Sequence, residues 1–566
     1  MPQRASTPPP KQEVRAVWVA TAAGLDWPRT QNTREQQEAL VTIVQTAKAL
    51  GLNTLFFQVR ARGDAYYRSR YEPWADNLTG TLGKDPGWDP LRFLLDAAHG
   101  AGIEVHAWFN VFKVRGPNPV KPTTPLHPTL AFPQWTTELQ GEAWLNPGVP
   151  AVRTYSLNVA LDLVTSYDID GILFDFVRYP GQDFPDGETY ARYGRGTARD
   201  SWRRGNVSLF VKEFYERASA LKPMLKIGSA PLGVYDGQAE GLASGSYQEY
   251  FQDAPAWIRS GWQDYLAPQV YWNIGSSPGD PDFAKLAREW SSRSGGRQIY
   301  IAIAAYKPEV LRELPEEIDS ARAAGTSGQA FFRYEHIRAG RALADRYAHP
   351  ANIPPMPWKD PVSPGVPLLL TVTEMATNTF LLEWVPPPPA VDGDTARRYN
   401  VYRWASTPLP VENPACLIAI TPGSQCFWAD TISMPSGFSY SYAVSALDKG
   451  NNEGLPSAAT STSAKALLAL RKKLEGATSF STSVSSATGT PSIAAYRLPY
   501  PMQVSMGIYR RIAAGRDSLV ALLFRQEQER GTYLVGMQNI PFEAGQYVLR
   551  LEAGRTTLEQ AVTVTR

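Results

Sequence analysis

Eight short apolar runs, spread over the first 350 residues with helix-like patterns between most of them, constrain this 566-residue chain more than any other feature. They are Glu13–Ala20, Leu52–Val59, Ile103–Asn110, Ile172–Phe174, Leu225–Ala230, Tyr265–Trp272, Gln298–Ala305 and Gly328–Arg333. Each is short and β-rich enough to be a buried strand. Helical patterns fall between them, as at 34–50, where Leu40, Ile43, Val44 and Ala47 share one face and Gly51 ends the run. Another begins at Asp89-Pro90, an N-cap followed by proline at the first helical position. Further helical stretches are expected over 151–166, 201–220 and 248–264, with a Pro-rich excursion over 115–150. Alternation of this kind predicts an α/β fold, and eight units close a (β/α)8 TIM barrel. An open doubly wound sheet is the alternative, but Ala20-Thr-Ala-Ala-Gly24 after the first run is not its phosphate-binding turn.

Beyond the barrel the pattern changes. Residues 1–12 read as a disordered lead-in, 13–353 as the barrel and 354–367 as a Pro-rich linker. Short alternating stretches with turn residues between them predict one β-sandwich over 368–465 and a smaller one over 490–566, with a Ser/Thr/Ala-rich linker at 466–489. A hydrophobic content of 43% and a net charge of +2 describe a packed globular chain without a basic tail, which argues against nucleic acid as the main partner. The longest apolar runs are too short to span a membrane. Cys416 and Cys426, the two cysteines, stand ten residues apart and fit either a small-loop disulfide or two thiols. The first 11 residues lack the apolar region of a signal peptide.

The fourth run carries the densest chemistry. Asp175, Arg178 and Tyr179 follow its apolar stretch directly, and ligands bind at the carboxyl ends of strands in such folds. A charged pair there is costly unless it is matched or used. The other strand ends offer Arg60, Arg62 and Asp64; His106, Trp108 and Asn110; Gln269, Tyr271 and Trp272; Tyr306 and Lys307; and Arg333, Tyr334 and Glu335. Aromatic rings that cover a sugar face, together with donors that fork onto hydroxyls, make a carbohydrate site. Glycoside cleavage ordinarily needs two carboxyl groups. Asp175 is the first candidate, and Asp64 or Glu335 the second. Arg60, His106, Trp108, Asn110, Arg178, Tyr179, Gln269, Tyr271, Trp272, Tyr306 and Arg333 are the expected substrate contacts. Each has a plain structural alternative: an ion pair, a helix cap or core packing. The five histidines show no paired metal-ligand spacing, and neither a serine nucleophile elbow nor a phosphate loop is present, so no metal or cofactor is expected.

Seven segments carry a family resemblance: Arg15–Ala20, Leu25-Asp-Trp-Pro28, Phe57–Arg60 with Gly63-Asp-Ala65, Pro86–Leu91, His106–Asn110, Asp170–Asp175 with Tyr179-Pro180, and Ala267–Trp272. Over about residues 13–350 the chain resembles the bacterial glycosyl-hydrolase-like family ten, long catalogued as a domain of unknown function. The resemblance implies a barrel that acts on glycans, for some members bacterial cell-wall glycan strands, in a secreted or periplasmic setting at the cell envelope. Trp384, Tyr399–Tyr402 and Tyr442–Ala446 resemble a fibronectin type III domain, which could attach the enzyme to a surface or polymer. One departure stands out. Many relatives read Phe-Asp-Asp-Tyr at the fourth strand, whereas this chain reads Phe174-Asp-Phe-Val177. With that second acid replaced by Phe176, the chain needs another, or it binds glycan without cutting it, or it serves as a surface scaffold.

Overall fold

The computed structural model describes residues 9–237, 242, 244–275, 280–340, 343–376, 379–405, 410–432, 440–461, 479–484, 491–498, 502–513, 516–528, 531–536, 542–554 and 556–565. Its first compact unit holds the barrel. The strands are β1 (Val14–Val19), β2 (Thr54–Arg60), β3 (Glu104–Asn110), β4 (Gly171–Asp175), β5 (Lys226–Ser229), β6 (Tyr265–Leu266), β7 (Gln298–Ile303) and β8 (Gly328–Phe331). Each pairs in parallel with its neighbours in sequence, and β8 returns to β1, so the sheet is a closed eight-stranded barrel. Closure depends on a glycine: a Cβ on Gly328 would stand 2.1 Å from the Val14 carbonyl oxygen.

Strand periodicity divides the core in two. Val14, Ala16, Trp18, Phe56, Trp108, Leu173, Tyr265, Tyr300, Ala302 and Ala330 fill the barrel interior. Residues of opposite parity, such as Val17, Val19, Leu55, Phe57, Phe109, Ile172 and Phe174, pack outward with the helices. The helices start at side-chain caps: the Asn32 side chain accepts from Glu35 N–H before Thr33–Ala49, and Asp89, as expected, from Arg92 N–H before Pro90–Gly100. Two expectations change. The stretch 248–264 holds two short helices, Ser246–Glu249 and Ala254–Arg259, parted by Phe251 in the left-handed region at φ 54°. The Pro-rich excursion contains a three-stranded antiparallel sheet, Lys113–Arg115, Glu142–Leu145 and Thr136–Leu139.

Segments 386–424 and 442–458 belong to the same compact unit as the barrel. They meet its base through a buried charge network. The Glu104 carboxylate accepts from Lys226 Nζ at 2.6 and 2.7 Å, from Asn451 Nδ2 at 3.2 Å and from Arg398 Nη2 at 3.4 Å. Burial alone would push this carboxyl up; Lys226, His106 and Arg398 hold it well below its usual value. The Pro-rich residues after the barrel also pack at its base: Ile353 and Met356 enter the interior cluster, and Gln298 Nε2 donates to the Pro354 and Pro355 carbonyls.

The second unit comprises 369–385, 425–441 and 459–566. It is antiparallel β throughout its described residues. It includes a sheet of Ser479–Val484, Pro491–Leu498 and Gly531–Gly536, and one of Arg516–Gln528, Met502–Ala513, Gly545–Ala553 and Thr556–Val564. Most of the stretch 466–489, expected to be a linker, lies outside the described residues; 479–484 within it is strand. Cys416 and Cys426 are free thiols.

Neutralising Glu104 leaves Lys226 buried without its counter-charge. Glu104→Gln should therefore destabilise the barrel unit by about 3–5 kcal/mol, read as a lowered urea midpoint of its unfolding transition.

Candidate active site

Closure brings eight strand ends to one mouth, and a cavity of about 250 Å³ opens there. Its lining alternates with the strands: Trp18 and Ala20 from β1, Gln58 from β2, Trp108 and Asn110 from β3, and Asp175 from β4. Gln269 and Tyr271 follow β6, and Phe332 follows β8. Trp18, Trp108 and Tyr271 surround the Phe332 ring, with centroids 6.0, 6.2 and 5.8 Å from it, and Tyr306 joins at 6.0 Å. This is a continuous aromatic surface beside polar groups, the pairing a sugar ring requires. Asn110 Oδ1 is buried without a hydrogen-bond partner, leaving one acceptor free at the wall.

Asp175 is the one carboxylate among the described residues that line this cavity. It ends β4 opposite Asn110 and is half-buried. Its Oδ1 accepts the Phe176 backbone N–H at 2.7 Å and Gln269 Nε2 at 3.4 Å, and Gln269 is itself held by the Ala230 carbonyl at 3.1 Å. Burial is the largest influence on its titration and pushes it up. The Phe176 N–H, the Arg178 guanidinium, and the nearby Trp108 and Gln269 side chains oppose that, and the balance stays above the ordinary aspartate value. Phe176 holds φ at 49°, a strained left-handed conformation for a bulky residue beside the acid. Lys113 lies 4.9 Å and Arg178 5.3 Å from the centre of the Phe176 ring, so two cations flank it.

The structure gathers five expected residues into the lining: Asp175, Trp108, Asn110, Gln269 and Tyr271. Tyr306, 41% exposed, stands at its edge through Tyr271 and Phe332. Arg178 is in the second row, stacked on Trp144, Phe176 and Tyr250, with its Nη1 donating to the Tyr179 carbonyl.

The others lie elsewhere. Arg60 is fully buried and forms a forked pair with Glu72 at 2.7 and 2.6 Å. Register shifts between Gln58 and Arg60, which takes the arginine off the inward face. His106 does point inward, but at the level of Gly171, where β4 begins. There it is bonded to the Tyr265 hydroxyl at 2.7 Å and lies 3.3 Å from Glu104, in the base network. Tyr179 is sealed between Phe184 and Phe251. Trp272 packs over Gly233, where a Cβ would stand 2.9 Å from its ring. Arg333 is tied to the Leu25 carbonyl and to Asp26.

Neither candidate for a second acid lines the cavity. Glu335 pairs with Arg29 at 2.7 Å and with Arg338 at 3.2 Å. Asp64 is buried, accepts the Arg62 backbone N–H at 2.7 Å, and is pushed up by burial. Trp18, Gln58, Lys113 and Phe332 are lining residues that the strand-end reading passed over. Inward parity at 16, 18 and 20 would have found Trp18; Lys113 falls between the third run and the Pro-rich excursion, where no periodicity marks it.

The sequence profile of the family described as "Glycosyl hydrolase-like 10" matches residues 13–314. Glycosyl hydrolase YngK of Bacillus subtilis (strain 168) is 32% identical over 403 residues, 65% of this chain and 79% of that protein. Glycosyl hydrolase DigH of Escherichia coli (strain K12) is 33% identical over 333 residues, 54% of this chain and 75% of that protein. Among solved structures, the PgaB (BpsB) glycoside hydrolase domain from Bordetella bronchiseptica aligns at a TM-score of 0.42 and 16% identity, covering 60% of this chain and 99% of that one.

A carboxyl whose folded pKa is raised loses stability as pH climbs from its unfolded value, about 3.9, through the folded one. Asp175→Asn removes that cost. The variant should melt at or above the wild-type temperature at pH 7, and the difference should vanish in acid, where both side chains are neutral; calorimetry at the two pH values reads this directly.

Proposed function

The chain belongs to the glycosyl hydrolase-like 10 family, and from that premise we propose that it is a glycosidase that hydrolyses peptidoglycan-type cell-wall glycan strands with Asp175 as its acid. One observation carries the mechanism: among the described residues one half-buried carboxyl, raised above its usual value, faces a sugar-sized hollow lined by rings. A raised pKa keeps a proton available for a leaving oxygen, as a general acid requires. Asp175 gives that proton to the glycosidic oxygen as the bond from C1 to that oxygen breaks and the leaving sugar departs as an alcohol.

Among the described residues no second carboxylate lines the cavity, and this points to the substrate. Cell-wall glycans carry a 2-acetamido group, and its carbonyl oxygen can form the new bond to C1, as in substrate-assisted glycosidases. Water then attacks C1 and passes a proton to the Asp175 carboxylate. The acetamido group is released unchanged, the acid is restored, and the anomeric configuration is retained. Trp18, Trp108, Tyr271 and Phe332 would cover the sugar face, while Gln269 holds the acid and Asn110 takes a hydroxyl. The second unit, and the segments beside the barrel, would hold the enzyme to the cell envelope, consistent with a secreted or periplasmic location. No helix among the described residues is long and apolar enough to cross a membrane.

The presence of one carboxylate among the described lining residues also favours a second reading, a carbohydrate-binding barrel without turnover. Reducing-end release from purified glycan strands separates the two. The wild-type protein should release them, and Asp175→Asn should lower kcat by roughly 10²–10⁴-fold while binding the strands as before. Unchanged release by the variant would remove Asp175 from the mechanism; tight binding with no release by either protein would favour the binder.

A further inference from the structure

Three carboxylates from two separate segments meet in the barrel's own compact unit. Asp360 lies in the segment that follows the barrel, and Asp392 and Asp394 lie in the turn before the strand Arg398–Trp404. One oxygen from each lies within 4.8 Å of the others. Proximity alone would mean only repulsion, which exposed acids relieve into water. Asp360 cannot do this: it is 6% exposed. Its Oδ1 accepts the Val362 backbone N–H at 2.9 Å, while its Oδ2 is buried without any hydrogen-bond donor. A buried carboxylate oxygen in that state is costly unless a cation completes it.

The surroundings keep that oxygen open. A Cβ on Gly450 would stand 3.2 Å from Asp360 Oδ2, so the glycine leaves room there. Asn452 Nδ2 donates to the Asp360 backbone carbonyl at 3.0 Å, which fixes the main chain and leaves the side chain without a donor. Asp448 is beside the cluster; burial and then the Asp360 charge push it up, to about 6, against the Asn452 donors. Burial, Asp392 and Asp360 raise Asp394, against the opposing Arg397 and Lys449.

We propose that Asp360, Asp392 and Asp394 form a calcium site, with Asp360 Oδ2 as its buried ligand. The donors are all oxygen, which selects a hard cation over zinc or copper. Asp392 is exposed and Asp394 half-exposed, so water can complete the six to eight ligands calcium takes. Strict octahedral geometry, which magnesium demands, is harder to reach from an exposed turn and one fixed carboxylate. Bound calcium would tie the segment after the barrel to the turn that leads into Arg398, the residue that reaches Glu104 at the barrel base.

The test uses the full chain after EDTA treatment, with calcium chloride as the probe. Calorimetric titration should show one site that saturates at or below ~1 mM, and calcium should raise the melting temperature of the barrel unit. Asp392→Asn and Asp394→Asn should melt at or above the wild-type temperature in EDTA and lose the calcium-dependent rise. Asp360→Asn should also abolish binding. Absence of saturable binding at that concentration, or a calcium-dependent rise that survives in the Asp392→Asn/Asp394→Asn double variant, would overturn the assignment.

Discussion

The closing of eight parallel strands onto one another is the constraint from which everything else follows. Once β8 pairs with β1 across Gly328, alternate residues of every strand must point into a shared interior, and every strand must finish at the same rim. The interior then sorts by height. At the base, Glu104, His106, Lys226 and Tyr265 form a dry polar network locked from outside by Arg398 and Asn451. At the rim, Trp18, Trp108, Asp175, Gln269 and Tyr271 surround a hollow. One end is spent on stability, and the other is left open for chemistry.

At the rim, the acid is in tension with its site. Burial disfavours the charged form of Asp175, and the donors around it only partly compensate. The strained backbone of Phe176 aims an N–H at the carboxyl instead of relaxing. Where the relatives' pattern has a second acid, this chain sets an aromatic ring between Lys113 and Arg178. The two cations that would neutralise an acid there are instead satisfied by the ring face, by Glu142 for Lys113 and by the Tyr179 carbonyl for Arg178. Among the described residues the rim thus keeps one acid, which under the proposed mechanism a substrate carrying its own nucleophile would make sufficient.

Much of this could be read from the residues. Buried parallel strands are continuous apolar runs, so all eight barrel strands were visible, as was the cap at Asp89, and the sequence placed Asp175 at the end of the fourth strand. The errors have physical causes. Nearness to a strand end says nothing of which face a side chain takes: a register irregularity turned Arg60 towards Glu72, and chain reversal beyond β4 buried Tyr179. Inward parity without height misplaced His106, which points into the barrel but at its base. Counting two residues at a time from the strand starts recovers Trp18, Gln58, Trp108, Asn110 and Asp175 together. Contacts across long sequence distances left no such trace: Glu335 with Arg29, Asp360 with Asp392, and Lys113 just before an excursion whose prolines hid a small sheet.

The claim at the centre is that one carboxyl of the protein and one group of the sugar together perform the hydrolysis. The most direct measurement compares cleavage of N-acetylated cell-wall glycan strands with cleavage of the same strands after chemical N-deacetylation, at matched concentration and pH. The account predicts release of reducing ends from the first and little or none from the second, with binding to both. Equal rates on the two would contradict it, because the nucleophile or base would then have to come from the protein, beyond Asp175.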